Sequence, residues 1–323
     1  MSKKPSVVVA TKPKSEMADD VLDGLKRPLK ELSPVWFYDE LGSFLFDNIC
    51  ELPEYYLTRT EIAIMQMHAA EMAQHVGRDA AIIELGSGTS VKTRLLLNQI
   101  EMPATYVPVD IAREHLLDAA GAIARDYPDL RVIPVCANFA EDFELPAYVA
   151  NSSRRVVYFP GSTIGNFEPS QAQALLQRMR SMIDPNGAVL IGVDLRKDPR
   201  VLHRAYNDEA GVTAEFNLNA LRHLNRELGT DFDLDAFEHA AIWVENMSRI
   251  EMHLISKKDQ LVHIGDDEVR LERGEHIRTE YSHKYTLEGF ADLAENADLC
   301  VTRVWMDADK QFSVQLLEPR VLQ

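Results

Sequence analysis

Only three cysteines occur in the 323 residues, Cys50, Cys136 and Cys300, and they lie far apart. An odd number without CxxC spacing argues against a disulfide framework and against a thiolate zinc site. The reducing cytoplasm is therefore the expected compartment. No stretch stays apolar for the roughly 18 residues that a spanning helix needs, so no membrane partner is expected. The segment Met1 to Asp20 carries lysines but no apolar h-region and no cleavage-like site. It reads as a flexible tail rather than a secretory signal. Basic clusters are lacking too: 34 Lys and Arg against 51 Asp and Glu give a formal net charge of −17. Nucleic-acid binders gain much of their affinity by neutralising phosphates with basic side chains, so no nucleic-acid partner is expected. The ten histidines form no HxH or HxxxH pair, and no metal is expected. Internal repeats and low-complexity stretches are missing as well.

What is present is 46% hydrophobic and 26% charged residues, the composition of a globular enzyme with one large or two moderate domains. From residue 61 to 75 apolar residues recur at helical spacing. Short apolar runs then alternate with helical patterns. Strands are predicted at 80–85, 105–109, 130–136, 155–159 and 188–193, with helices at 92–100, 113–127 and 170–183. That alternation indicates βαβ units on a parallel sheet, with ligands bound at the carboxyl ends of the strands. After Asp194 the rhythm changes. Residues 199–240 read as helical and polar, and 249–285 alternate like antiparallel strands. A helix at 286–297 and a hairpin of 301–306 with 312–317 close the chain. A nucleotide-binding α/β core is thus expected at 61–195 and 286–323. An α+β substrate-binding domain is expected at 21–60 and 196–285.

The run Ile82-Ile83-Glu84-Leu85-Gly86-Ser87-Gly88 puts two glycines where a strand turns into a helix. Neither has a Cβ, so the first can take the tight turn and the second lets backbone approach a ligand. The third glycine of a dinucleotide fingerprint is replaced by Val91. An acid ahead of the glycines suits a ligand that carries an ammonium group and no phosphate, as the methionine end of S-adenosyl-L-methionine does. Asp110, ending the next strand, can accept hydrogen bonds from ribose hydroxyls.

Across nearly the whole chain after the tail, the sequence resembles the histidine-specific Nα-methyltransferases of ergothioneine biosynthesis. The resemblance is carried by Trp36-Phe37-Tyr38-Asp39, Leu52-Pro53-Glu54-Tyr55-Tyr56, the glycine loop through Lys92, Gly161-Ser162-Thr163-Ile164-Gly165-Asn166, Ala205-Tyr206, Ile250-Glu251-Met252 and Thr279-Glu280-Tyr281-Ser282. It implies a class I (Rossmann-like) methyltransferase core with a second domain. The reaction it implies is three methyl transfers from S-adenosyl-L-methionine to the α-amino group of L-histidine, which gives hercynine. It also implies a cofactor site lined by Gly86, Lys92, Asp110, Asn138 and Phe139. Asn138 stands where the family usually has aspartate, and its carbonyl can accept the same bond from the adenine amino group. The implied substrate pocket comprises Tyr38, Tyr55, Gly161, Asn166, Tyr206, Met252, Glu280 and Ser282. Tyr55 and Asn166 would hold the reacting amine, and Tyr206 would grip the carboxylate. Glu280 and Ser282, two residues apart on a strand, would pair with the two imidazole nitrogens.

Three other readings stay open at this point. A nicotinamide-dependent oxidoreductase is disfavoured by the missing third glycine and by the terminal hairpin. A non-catalytic S-adenosylmethionine sensor would have no use for an amino-acid pocket. An N-methyltransferase of another amino acid, such as a tryptophan derivative, is distinguished by Glu280, because an indole does not call for a carboxylate. The protein is expected to be a monomer.

Overall fold

The computed structural model describes residues 8–9, 14–88, 90–103 and 105–320. In chain order the elements open with β1 (Val8–Val9), α1 (Lys14–Leu25), β2 (Lys30–Glu31), α2 (Glu40–Glu51) and α3 (Tyr56–Val76). Next come β3 (Ala80–Leu85), α4 (Val91–Leu97), β4 (Thr105–Asp110), α5 (Arg113–Asp126), β5 (Arg131–Val132), β6 (Val135–Cys136), β7 (Arg154–Phe159), α6 (Pro169–Met182) and β8 (Ala188–Asp194). After these follow α7 (Pro199–Tyr206), α8 (Val212–Leu228), β9 (Phe237–Val244), β10 (Arg249–Ser256), the hairpin of β11 (Gln260–Ile264) and β12 (Asp267–Leu271), and β13 (His276–His283). The described chain ends with α9 (Leu287–Glu295), β14 (Leu299–Met306) and β15 (Phe312–Pro319).

Contacts divide the chain into two compact units, one of residues 1–10, 57–196 and 283–323, the other of residues 11–56 and 197–282. The first unit is built on a sheet in the order β1-β6-β4-β3-β7-β8-β15-β14, with β5 beside β4. Its pairings are parallel except those of β15, which runs against both β8 and β14. This is the class I, Rossmann-like α/β methyltransferase arrangement, with the reversed hairpin at one side. The strands β3 and β8 are buried along their whole length, which is why they read as unbroken apolar runs rather than as alternation. The strand order reverses at β3, whose neighbours are β4 and β7. A doubly wound sheet opens its ligand crevice at that switch, above the carboxyl end of β3, where Gly86 follows.

The second unit carries a four-stranded sheet in the order β2-β13-β10-β9. His239 on β9 contacts Asn217 of α8 through Nδ1 and the Tyr206 carbonyl of α7 through Nε2, so both helices lie on one face of this sheet. Met252 and Leu254 share that face, because they stand opposite Ala241 and His239 in the β10–β9 register.

Two local expectations are corrected. The segment read as a flexible tail to Asp20 already turns helical at Lys14, and Val8–Val9 pairs in parallel with Val135–Cys136. The polar first turns of α1 hid it, since its buried residues, Val21, Leu22, Gly24 and Leu25, all come late. The helical reading of 199–240 also ran too far. Gly229, at φ 69°, ends α8 in the left-handed conformation that glycine tolerates, and β9 begins at Phe237.

Candidate active site

At the end of β3 the chain turns through Gly86 at φ 70° and Gly88 at φ 46°. Among the described residues, none other than the chain neighbours of Gly88 comes within 4 Å of the point where a side chain there would start, and Thr89 lies outside the described residues. A Cβ on Gly86 would stand 3.5 Å from the Phe139 ring, which packs edge-on against Phe159 and Phe167. Between the glycines, the buried Ser87 hydroxyl has no hydrogen-bond partner among the described residues. A bare backbone turn, an open approach and an unsatisfied hydroxyl are features that a small polar ligand would fill.

Asp110 closes β4 beside this loop. One carboxylate oxygen accepts the Gly88 N–H at 3.3 Å and the other the Ala112 N–H at 3.0 Å. Burial pushes its pKa up against the pull of those two amides. Asn138 has a local role: its carbonyl accepts from the Ala140 N–H at 3.0 Å and its amide donates to Glu141 at 3.1 Å. A carbonyl oxygen has two lone pairs, so one is left for a ligand's amino group. Lys92, on the first turn of α4, reaches Glu61 at 2.5 Å.

Glu84 differs from the reading of it as an acid facing an ammonium group. Its carboxylate is 1% exposed and turned inward. Thr93 donates to both oxygens at 2.6–2.7 Å, and the Tyr106 hydroxyl donates to one of them. Glu84 thereby ties β3 to α4 and β4 beneath the loop. Burial dominates its titration and lifts the pKa to about 7 despite the hydroxyl donors.

In the same unit Gly161 (φ 83°) follows β7, and Asn166 ends the short 3-10 turn Thr163–Asn166. The Ser162 hydroxyl accepts the Asp194 N–H at 2.8 Å, which fastens this turn to the end of β8. Gly165 is required because a Cβ there would lie 2.8 Å from the His283 carbonyl oxygen.

The second unit holds the other six residues singled out in the sequence. Tyr38 stacks edge-on against Phe46, Phe46 against Tyr55, and Tyr55 against Tyr206, with centroids 6.0–6.4 Å apart. The Tyr206 hydroxyl is 2.7 Å from the Ser282 hydroxyl. Burial raises the Tyr55 pKa well above the ordinary phenol value, with added repulsion from Tyr206 and Glu280. Tyr38, Tyr55, Tyr206, Glu280 and Ser282 are thus one neighbourhood, while Met252 is buried on the helix side of β10. Sequence reasoning passed over Phe46, the ring that joins Tyr38 to Tyr55, because it looks like any apolar position of α2.

On the opposite face of β10, Arg249 and Glu251 are paired, and Glu251 also reaches His253 at 3.1 Å. The Arg249 and Arg278 guanidiniums lie 4.2 and 4.3 Å from the centroid of the Tyr281 ring. Thr279, by contrast, bonds Asn217 on the helix side. Tyr281 therefore points away from the face that Thr279 and Ser282 share, so the alternation slips once between Thr279 and Ser282.

The model of the family described as "Histidine-specific methyltransferase, SAM-dependent" matches residues 17–319. The chain belongs to this family. The histidine N-alpha-methyltransferase of Mycolicibacterium smegmatis is 44% identical over 303 residues, covering 92% of this chain and 93% of the relative. The enzyme of the same name from Mycobacterium tuberculosis is 41% identical over the same shares of both chains. Ergothioneine biosynthesis protein 1 of Neurospora crassa is 36% identical over 62% of this chain and 23% of its own length. The protein is accordingly a methyltransferase that uses S-adenosyl-L-methionine, and the glycine loop of this family member is the turn after β3. Among the described residues no group of His, Cys, Asp and Glu could hold a metal ion, and no helix is long and apolar enough to cross a membrane.

Proposed function

We propose that this enzyme transfers three methyl groups to the α-amino nitrogen of L-histidine and releases hercynine. The observation that carries this is the cluster of Tyr38, Tyr55, Tyr206, Glu280 and Ser282 in the second unit, set beside 41–44% identity to histidine N-alpha-methyltransferases. S-adenosyl-L-methionine supplies an electrophilic methyl carbon on a sulfonium, and Gly86, Lys92, Asp110, Asn138 and Phe139 would hold it. The α-ammonium first gives up a proton, because only a free lone pair can attack. The nitrogen then bonds to the methyl carbon as the carbon–sulfur bond breaks and its electron pair returns to sulfur. After the third transfer the nitrogen is quaternary and carries no proton, so the reaction stops there.

In this reading Asn166 and Tyr55 orient the amine, Gly161 leaves room beside it and Tyr206 takes the carboxylate. Holding the nucleophile in line supplies the catalytic advantage of orientation. Burial keeps Tyr55 a neutral phenol, which supports a positioning role rather than that of a phenolate base. Glu280 and Ser282 would select the imidazole ring, with Tyr38 and Met252 against its faces. The second unit would then be the substrate-binding domain. We further propose a cytoplasmic monomer, which light scattering on the purified protein tests.

Mass spectrometry of the twenty amino acids, each incubated with the enzyme and S-adenosyl-L-methionine, is the direct test. Histidine is expected to gain three methyl groups on the α-nitrogen and none on the ring. Ring-methylated histidine as the main product, or a preference for tryptophan, would overturn the proposal.

A further inference from the structure

The helix α3 buries a stripe formed by Leu57, Ile64, Met65, Met72 and Val76, and one member of that stripe is a carboxylate. Glu61 is 1% exposed. Burying a charge is costly unless donors meet it, and an apolar residue there would pack as well. Glu61 is met twice. The Gly161 N–H donates to its two oxygens at 2.9 and 3.1 Å, and the Lys92 ammonium lies 2.5 Å away. Across from it, β8 has Gly192, where a Cβ would fall 2.2 Å from a Glu61 oxygen. The sheet thus leaves a gap where the carboxylate sits.

We propose that Glu61 is a positioning residue for both ligands: its carboxylate aims the Lys92 ammonium at the carboxylate of S-adenosyl-L-methionine and fixes the Gly161 turn that leads to Asn166. An ammonium has three donors, and Glu61 uses one, so the others remain for a ligand. The methionyl carboxylate is the only anion on this cofactor, which makes it the group that a lysine would select. This inference rests on the reading of Lys92 as a cofactor residue.

The test compares S-adenosylhomocysteine, which has the carboxylate, with 5′-methylthioadenosine, which lacks the amino-acid part, by calorimetry. Glu61→Gln keeps an acceptor for the Gly161 N–H but removes the charge. It is expected to weaken S-adenosylhomocysteine binding about tenfold or more and leave 5′-methylthioadenosine binding unchanged. A merely structural loss would weaken both alike. Lys92→Met should give the same selective loss. If Lys92→Met gives it and Glu61→Gln does not, the role of Glu61 is overturned while Lys92 stands. If neither gives it, both assignments fall. Should Glu61→Gln not fold, Gly192→Ala, whose new methyl crowds the Glu61 carboxylate, is expected to show the same selectivity. Equal effects on the two ligands in that variant would overturn the proposal.

Discussion

In the proposed function Glu280 selects the substrate, and its replacement separates two accounts. If it pairs with the imidazole, Glu280→Ala loses a charge-assisted bond of about 1.5–3 kcal/mol, roughly ten- to hundred-fold in histidine affinity. S-adenosyl-L-methionine binding should barely change. The lost carboxylate also opens space, so the histidine-to-tryptophan ratio of kcat/KM is expected to fall, and further when Met252 is made smaller. An unchanged ratio in a folded variant would mean that Glu280 is only a strand carboxylate. At the cofactor loop, Gly86→Val combines a φ of 70° with a β-branched side chain, where even a Cβ already stands 3.5 Å from Phe139. Loss of cofactor binding in a folded protein is the expected calorimetric outcome, and near-normal binding would remove Gly86 from the site.

At the scale of elements, the sequence was most readable where an apolar run of the core stops at a glycine or an aspartate. The apolar runs 80–85, 105–109 and 188–193 stop at Gly86, Asp110 and Asp194, and the structure starts or ends its strands within a residue of those limits. The two short strands β5 and β6 replaced one expected run at 130–136: Ile133 and Pro134 lie between them, although the Ile133 N–H still donates to the Tyr106 carbonyl on β4. What the sequence hid were contacts between elements. Thr93 and Tyr106 show no spacing that announces a bond to Glu84, yet they lock β3, β4 and α4 together. That lock has a pH signature. The folded protein holds the Glu84 proton up to about pH 7, against about 4.5 in the unfolded chain, mainly through burial. The folded state therefore binds more protons in this window. Its stabilising share is complete below the unfolded value and is lost as the pH rises through 7. In Glu84→Gln the group stays neutral, so urea denaturation should show wild type losing about 3 kcal/mol relative to the variant across the window. Parallel stability–pH curves for the two proteins would show that Glu84 is ionised throughout.

For the molecule as a whole, charge is the dominant feature, and it acts in two opposing ways. Exposed pairs such as Lys26–Asp267 and Arg113–Glu114 attract, and each contributes at most about 1 kcal/mol. Salt weakens them. Against them stands a formal net charge of −17, whose self-repulsion destabilises the compact state. Salt weakens that repulsion as well. The net term should win, because pairs a few ångströms apart are screened less than like charges spread over the surface. Raising the salt from about 0.01 to 0.15 M shortens the screening length from about 30 to 8 Å, less than typical spacings across a protein of this size. The melting temperature at pH 8 is therefore expected to rise with added sodium chloride. Near the isoelectric point of about 5.0 the repulsion vanishes while many pairs persist, so the same salt should give no gain or a small loss. Calorimetric scans at both pH values over that salt range test this. A melting temperature that falls with salt at pH 8 would mean that local pairs, not net charge, govern the stability of this enzyme.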